Sequence, residues 1–201
     1  GLHLRDFSDQ VLQYSVNPSH DGTRALLNIV DQAQSNTDVW ILDLQRDIRN
    51  RFTFHKDDDY SPVWSPDDSL VAWVSQRSEK AGVYVKSSDG AGEERLVYQT
   101  DNVIFLRSWS PDGRYLLASE NRESTDIMFI PLDEGEEPFA FMATPADEYD
   151  PKISPDGRWV AFGSQETGKE EVYVAPFPDR GTKWQVSNRE GDRPVWRPDG
   201  K

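Results

Sequence analysis

A four-residue motif recurs along the 201-residue chain at a nearly constant spacing. Its clear copies begin at Ser65, Ser110 and Ser154, where Pro, then Asp, then Gly or Asp follow the Ser. A variant begins at Arg197, and a degenerate copy with His in place of Pro begins at Ser19. The shared Asp recurs after 46, 45, 44 and 43 residues. A fixed period in this range indicates that the chain folds as a stack of similar supersecondary units.

Each unit also carries the same pattern of short apolar runs. One bulky apolar residue immediately precedes the motif, and three runs follow it in each of the first four units. The runs are rich in β-branched and aromatic residues and are bounded by Gly, Pro, Asp, Asn and Ser, which is typical of β-strands. They cover residues 25–27, 39–42 and 52–54; 70–74, 83–85 and 96–98; 115–118, 127–130 and 139–141; and 159–162, 172–174 and 184–186.

Four short strands in about 45 residues are typical of one β-propeller blade. The sequence therefore predicts an all-β fold, a single β-propeller of four-stranded antiparallel blades. Because one blade cannot bury both of its faces, the blades must stack around an axis. We expect four blades and the start of a fifth, at about residues 11–56, 60–100, 103–144, 148–187 and 192–201.

The recurring motif has the chemistry of a bulged hairpin turn. Ser bonds ahead to the backbone, Pro presets φ, Asp tolerates the third position, and Gly takes the left-handed conformation. Asp68 stands where other copies have Gly, and Asp is among the few other residues found in that conformation. We expect a structural role in these turns for Asp21, Gly22, Pro66, Asp67, Pro111, Asp112, Gly113, Pro155, Asp156, Gly157, Pro198, Asp199 and Gly200.

The motif and its surroundings resemble the TolB-like, Pro-Asp type of WD40-like propeller repeat. The resemblance covers about residues 11–201 and implies the fold more specifically than any function. A closer resemblance is to the propeller region fused to bacterial serine/threonine kinases or winged-helix regulators. It rests on residues 149–162, 171–178, 183–187 and 194–201. That resemblance implies an extracytoplasmic sensing or scaffold module, without the kinase activity, because the kinase motifs do not occur.

The predicted fifth blade would be incomplete. Residues 193–196 would supply its first strand, and residues 2–7 at most one more. We therefore expect a fragment of a longer propeller, with assembly through open blade edges or a small self-closed ring as alternatives. An open edge leaves backbone N–H and C=O groups unpaired, which favours self-association.

Charge and composition exclude several classes of function. The chain has 22 Lys and Arg against 36 Asp and Glu, and the resulting charge of −14 argues against binding to nucleic acid. It has no Cys, so disulfides, thiolate metal sites and Cys nucleophiles are excluded. No apolar run approaches the roughly 18 residues that a membrane span needs. We expect no cofactor and no metal, since His3, His20 and His55 lack the spacing of a zinc site or a catalytic triad.

Acidic residues recur in the predicted loops between blades. In a propeller these loops lie on one face, together with the variable loops 31–37, 76–81, 120–125 and 165–170. A rim of carboxylates attracts a cation or a basic peptide, whereas the plainer interpretation is that Asp caps turns and keeps loops soluble. The candidate ligand-binding residues are Asp57, Asp58, Asp59, Asp101, Asp147, Glu148, Asp150, Glu190 and Asp192.

The sequence favours a non-catalytic module that binds a protein, a peptide or a small ligand on this face. No nucleophile constellation is apparent, and no Gly-x-Ser-x-Gly elbow occurs. The alternative is the propeller portion of an enzyme, either a peptidase gate or a metal-dependent lyase or lactonase. We expect a protein or peptide partner and no nucleic acid.

Overall fold

The computed structural model describes residues 12–31, 35–77, 79–179, 181–197 and 199–200. These residues form four antiparallel sheets of four strands each, and no helix that could cross a membrane occurs among them. Within each sheet the strands lie in chain order. The predicted all-β fold of four-stranded antiparallel blades is therefore confirmed.

The sixteen strands have the following bounds. The first sheet contains β1 (Leu12–Pro18), β2 (Arg24–Asp31), β3 (Asn36–Asp43) and β4 (Ile48–Arg51). The second contains β5 (Asp59–Trp64), β6 (Leu70–Arg77), β7 (Lys80–Ser87) and β8 (Arg95–Thr100). The third contains β9 (Val103–Trp109), β10 (Tyr115–Asn121), β11 (Thr125–Pro131) and β12 (Phe139–Met142). The fourth contains β13 (Glu148–Ile153), β14 (Trp159–Ser164), β15 (Glu171–Pro176) and β16 (Trp184–Gln185).

Two predicted strands do not form in the described part of the chain. Residues 52–54 are not a strand, because the turn after Asp43 is tight and β4 has already ended at Arg51. The N–H groups of Phe52 and Thr53 both donate to Val39 O, so the ladder ends there in an irregular pair of bonds. Residues 193–196 also form no strand, since no described residue pairs with them in a ladder. The predicted strand at residues 2–7 lies outside the described residues, as does Pro198.

The same hydrogen-bonded turn occurs at the four motifs that begin with Ser. In the copy at Ser110, the N–H of Gly113 donates to Ser110 O at 2.9 Å, and the N–H of Ser110 donates to Tyr115 O at 2.8 Å. The Ser110 hydroxyl donates to Asp112 Oδ1 at 2.6 Å. Hydrogen bonds of this kind lower the pKa of the motif carboxyl to about 2 in three copies, at Asp21, Asp67 and Asp156. The bond from the Ser hydroxyl has the largest effect in each case. The last residue of the motif has a positive φ in every copy: Gly22, Asp68, Gly113, Gly157 and Gly200.

Two departures from the motif compensate each other across the first and second sheets. His20 replaces Pro and so has a backbone N–H, which donates to Asp68 Oδ1 at 2.9 Å, while Asp21 N–H donates to Oδ2 at 2.9 Å. The His20 Nδ1 atom lies 2.8 Å from the same Oδ1. Burial acts to raise the pKa of Asp68, but these bonds outweigh it and hold the pKa below its usual value. The Asp68 carboxylate, at a position where other copies of the motif have Gly, thus joins two neighbouring turns.

The hydrophobic core lies between successive sheets. Side chains alternate along each strand, so one face of a sheet packs against the preceding sheet and the other against the next. Leu26 and Val39 of the first sheet pack against Trp64 and Trp73 of the second. The second and third sheets share a cluster that includes Val83 and Leu116, and the third and fourth share one that includes Phe129 and Phe162. The first strands of successive sheets contact one another, which places β1, β5, β9 and β13 along the inner wall.

Candidate functional site

The loops of the four sheets lie at two opposite ends. At one end, the loop after the third strand of each sheet is bonded to the motif turn, as in the bond from Leu132 N–H to Arg114 O. At the other end, the connections between sheets meet the loops that join the second and third strands. The bonds from Gln76 N–H to Asp58 O and from Gln165 N–H to Asp147 O mark this contact. We call the first end the turn end and the second the loop face.

Asp58 and Asp147 hold neighbouring sheets together at the loop face. The N–H of Thr37 donates to Asp58 Oδ1 at 2.7 Å, and the N–H of Thr125 donates to Asp147 Oδ1 at 2.8 Å. Each carboxylate thus fixes the hairpin of the preceding sheet to the connection that follows it. Both side chains also remain exposed to solvent.

The other exposed candidates lie next to cations. Asp57 is 3.2 Å from Lys56 Nζ and 3.5 Å from His55 Nδ1. Asp101 is 3.2 Å from Lys80 Nζ, and Glu190 is 3.6 Å from Lys169 Nζ. These pairs are exposed and therefore weak. They leave the carboxylates able to exchange partners with an incoming cation.

Asp150 and Asp192 share the cations of the inner wall. Asp150 lies 3.1 Å from Arg107 Nη1 and 4.0 Å from Arg193 Nε, and Asp192 lies 3.7 Å from the same Arg193 Nε. Asp150 lies within β13 rather than in a loop, which differs from the sequence-based expectation. The candidate residues Asp150 and Asp192 therefore lie in a region of mixed charge, beside two arginines.

Asp59 and Glu148 are fully buried, although the sequence analysis placed both in exposed loops. The reason is that β5 begins at Asp59 and β13 at Glu148, so both side chains lie beneath the loop face. Burial raises the pKa of Asp59, and the nearby hydroxyls of Ser75 and Thr53 counter this only in part. Burial raises the pKa of Glu148 in the same way, against the opposing effect of its hydrogen bonds from Thr144.

We expect Asp59→Asn to stabilise the protein at pH 7. Neither carboxylate oxygen of Asp59 makes a hydrogen bond, so the ionised group loses its hydration there without replacement. A raised pKa means that the folded state binds the proton more tightly than the unfolded state. The contribution of Asp59 to the stability of the fold is then greatest below pH 3.8, the ordinary pKa of an Asp carboxyl. It is lost as the pH rises through the raised pKa of the folded state. The gain expected from the variant is about 1 kcal/mol at pH 7, and it disappears near pH 3.

Urea unfolding of the wild type and the variant between pH 3 and pH 8 checks this expectation. Asp57→Asn is the matched control, since that carboxyl is partly exposed and we expect little change at either pH. A loss of stability in Asp59→Asn that is equal at all pH values would show that the carboxyl is well solvated or paired.

A third buried carboxylate, Glu120, was not singled out by the sequence. Its oxygens accept hydrogen bonds from Thr100 at 2.5 Å, Asn102 at 2.9 Å and Tyr98 at 3.1 Å, and Arg122 Nη2 lies 3.1 Å away. Burial acts to raise the pKa of Glu120, but these hydrogen bonds and the Arg122 charge outweigh it, and the pKa is lowered. The network ties the connection after β8 to the hairpin of the third sheet.

A cleft opens at the loop face between the third and fourth sheets. Its first part has a volume of about 680 Å³ and is lined by Arg122, Glu123, Ser124, Asp126 and Thr144, among others. An adjoining part of about 630 Å³ extends to Asp147 and Glu166. Loops 120–125 and 165–170 are variable in sequence, but none of their residues was predicted as a ligand site, because nothing in the repeat shows which loops diverge to form a cleft.

Carboxylates dominate the chemistry of this cleft. Glu123 is exposed and makes no ion pair with any residue that the structure describes. Burial raises the pKa of Asp126, whose Oδ1 accepts a bond from the Ser124 hydroxyl at 3.2 Å and whose Oδ2 lies 3.9 Å from Arg122 Nε. Glu166 is paired with Lys183. Within the described ranges, no group of three or more His, Asp or Glu side chains has the arrangement of a metal site.

The histidines are dispersed. His20 lies at the turn end and His55 at the loop face, where its Nδ1 accepts a bond from Asp57 N–H at 3.2 Å. His3 lies outside the described residues. Among the described residues, neither His20 nor His55 hydrogen-bonds to a serine or to a second His.

Stacked four-stranded sheets with a rigid turn end and a divergent loop face define a propeller scaffold. The family model for the TolB beta propeller domain matches residues 11–199, and the chain belongs to that family. The resemblance to TolB-like repeats is thereby confirmed.

Three relatives place the scaffold among TolB and peptidase propellers. A solved structure described as a putative TolB from Agrobacterium tumefaciens is 25% identical, with a TM-score of 0.79. The match covers 94% of this chain and 68% of the Agrobacterium chain. The structure of TolB from Acinetobacter baumannii is 19% identical, with a TM-score of 0.70. That match covers 90% of this chain and 46% of the Acinetobacter chain. YuxL of Bacillus subtilis, an uncharacterized peptidase, is 24% identical over 76% of this chain and 29% of its own length. The chain thus spans less than a third of that curated relative.

Proposed function

We propose that this propeller is a non-catalytic recognition module that binds a basic peptide segment of a protein partner in the cleft between the third and fourth sheets. The observation that carries the proposal is the exposed carboxylate of Glu123, which lines both parts of the cleft. Asp126 also lines the first part, and Asp147 and Glu166 line the second. Carboxylates outnumber Arg122 in the lining, and a concave site with an excess of one sign of charge concentrates ligands of the opposite sign.

Three features of the scaffold support recognition by charge. The cleft is bounded by loops that two rigid sheets hold in place, which is where binding residues usually occur. The net charge of −14 adds a long-range attraction for cationic partners. The Arg122 guanidinium, which lines the cleft, is already paired with buried Glu120 at 3.1 Å and with Asp126 at 3.9 Å, so its charge is offset locally.

We expect a capped peptide of alternating Lys and Ala to bind, and binding to weaken about tenfold in the double variant Glu123→Gln, Glu166→Gln. Both residues are at the surface and neither belongs to a buried network, so the variant should fold normally. Calorimetric titration at low and physiological salt measures the affinity, which should fall as salt rises.

The matched control neutralises Glu134 and Glu137, two exposed carboxylates in the loop between β11 and β12 at the turn end. This control changes the net charge by the same amount and should retain nearly the wild-type affinity. Equal losses in the two double variants would show that net charge alone, and not the cleft, attracts the peptide. The same peptide with Glu in place of Lys should not bind.

A second candidate function is the propeller portion of a hydrolase. The similarity to YuxL and to the propeller of solved prolyl endopeptidases supports it, and the latter match is 14% identical with a TM-score of 0.68. In that case the loop face would admit substrate peptides to a separate catalytic domain. A preference of the cleft for extended peptides regardless of charge would favour this function over recognition of a basic segment.

A further inference from the structure

The inner strands of the second, third and fourth sheets are interrupted at the same point. The pairing register shifts between Tyr60 and Val63 in β5 and between Tyr149 and Lys152 in β13. In β9 the shift leaves Arg107 as the extra residue. Such β-bulges turn a side chain away from the regular alternation and are frequent beside binding sites. Here they lie on strands that line the inner wall.

The backbone is strained at two of these bulges, in β5 and β13, and at the equivalent position of the last repeat, which is not in a strand. Ser61 has φ 51°, Asp150 has φ 48° and Arg193 has φ 47°, and each immediately precedes a Pro. The left-handed conformation is unfavourable for residues with a Cβ, and a following Pro favours an extended conformation instead. Strain that recurs at equivalent positions is retained only where the surrounding structure enforces it, and it is concentrated at ligand sites.

Cations converge on the inner wall beside the bulges. Arg107 Nη1 lies 3.1 Å from Asp150 Oδ1, and Arg193 Nε lies 4.0 Å from Asp150 Oδ2. One carboxylate thus faces two guanidinium groups from separate segments. Arg107 also donates from Nε to the Ser119 hydroxyl at 3.1 Å, which fixes its orientation.

Lys152 adds a third cation, whose ammonium makes no direct hydrogen bond or ion pair among the described residues. The Lys152 side chain is half-buried. Burial lowers its pKa, Asp150 acts in the opposite sense, and Arg107 lowers it further. The hydroxyl of Ser108, which follows Arg107 in β9, is buried and also makes no hydrogen bond. A half-buried ammonium without a directly contacting counter-ion is unusual, because buried charges are normally paired.

We infer that the inner wall of this propeller binds a carboxylate-bearing ligand between Arg107, Arg193 and Lys152, with Asp150 as the internal anion that the ligand replaces. Guanidinium groups recognise carboxylates through paired, charge-assisted hydrogen bonds. Arg107 is partly exposed and Arg193 is largely exposed, so both are accessible to a ligand from solvent. The site is distinct in position and opposite in charge from the acidic cleft at the loop face.

Peptides carry carboxylates either at the C-terminus or on Asp and Glu side chains, and the test separates these sources. The probes are three N-acetylated Ala-Gly peptides without basic residues: one with a free C-terminus, one with an amidated C-terminus, and one amidated but with a single internal Asp. Calorimetric titration should show binding of at least one carboxylate probe, with the amidated neutral probe at least about tenfold weaker. Equal binding of the neutral probe and both carboxylate probes would overturn the inference.

Variants of the inner wall then locate the site. Arg107→Gln and Arg193→Gln should each weaken binding of the carboxylate probe about tenfold. Because Arg193 is largely exposed, its replacement tests the site even if the Arg107 variant is destabilised. Asp150→Asn should strengthen binding severalfold, since it removes the competing anion while Asn tolerates the left-handed backbone. Unchanged affinity in both Arg variants, or weaker binding in Asp150→Asn, would contradict the site, and Glu123→Gln should have no effect.

Discussion

Phe129→Ala should destabilise the protein by about 3–5 kcal/mol. Phe129 has no exposed surface and fills the core between the third and fourth sheets. Its ring stacks on Phe177 with a centroid separation of 4.3 Å and on Phe139 at 5.6 Å. Truncation removes these contacts and leaves a cavity that rigid β-sheets cannot close. Denaturant unfolding monitored by Trp fluorescence measures the loss.

Phe54→Ala is the control for this experiment. Phe54 is 69% exposed and contacts chiefly the Arg51 guanidinium, 5.3 Å from its ring centroid. We expect its loss to cost less than about 1 kcal/mol. A similarly small cost for Phe129→Ala would mean that the third and fourth sheets are not held together by this aromatic cluster.

Glu120→Ala should cost about 3–5 kcal/mol, because it removes one partner of a buried charged network. Thr100, Asn102, Tyr98 and Arg122 would all lose their acceptor at once. Glu120→Gln retains an acceptor of similar shape but not the charge opposite Arg122, so its cost should be about half as large. Urea unfolding at pH 7 compares the three proteins.

The control replaces a neighbouring carboxylate on the same hairpin. Glu123→Ala should change stability by no more than about 0.5 kcal/mol, because its side chain is exposed. If Glu120→Ala proved as mild as Glu123→Ala, water would have to enter and hydrate the donors. That result would mean that the Glu120 network does not anchor the third sheet.

The architecture could be predicted because the same information is repeated in every unit. Each motif specifies a turn chemically, through a hydroxyl, a carboxylate and a left-handed residue at fixed spacing. The apolar runs then specify strands on both sides of that turn. The exception at residues 52–54 has a local cause, since the turn after Asp43 determines where β4 begins and ends. Apolar character alone does not distinguish the end of a strand from a buried residue just beyond it.

Burial of the acidic residues could not be predicted in the same way. Asp58 and Asp59 are neighbours in sequence, yet one is exposed and caps Thr37, while the other is buried without a hydrogen bond. The difference depends on the residue at which β5 begins. Glu120 was missed because its partners Tyr98 and Asn102 come from β8 and from the connection after it, and only the packing of the second sheet against the third brings them together.

Amide chemical-shift mapping during titration with the capped Lys-Ala peptide tests the proposed function most directly. The 23.0 kDa chain is within the range of that method. We expect the perturbed amides to be concentrated in residues 122–126, 143–148 and 165–170, with little change at the motif turns. Perturbations centred on the turn end, or no saturable change at any amide, would contradict recognition of a basic segment by the cleft.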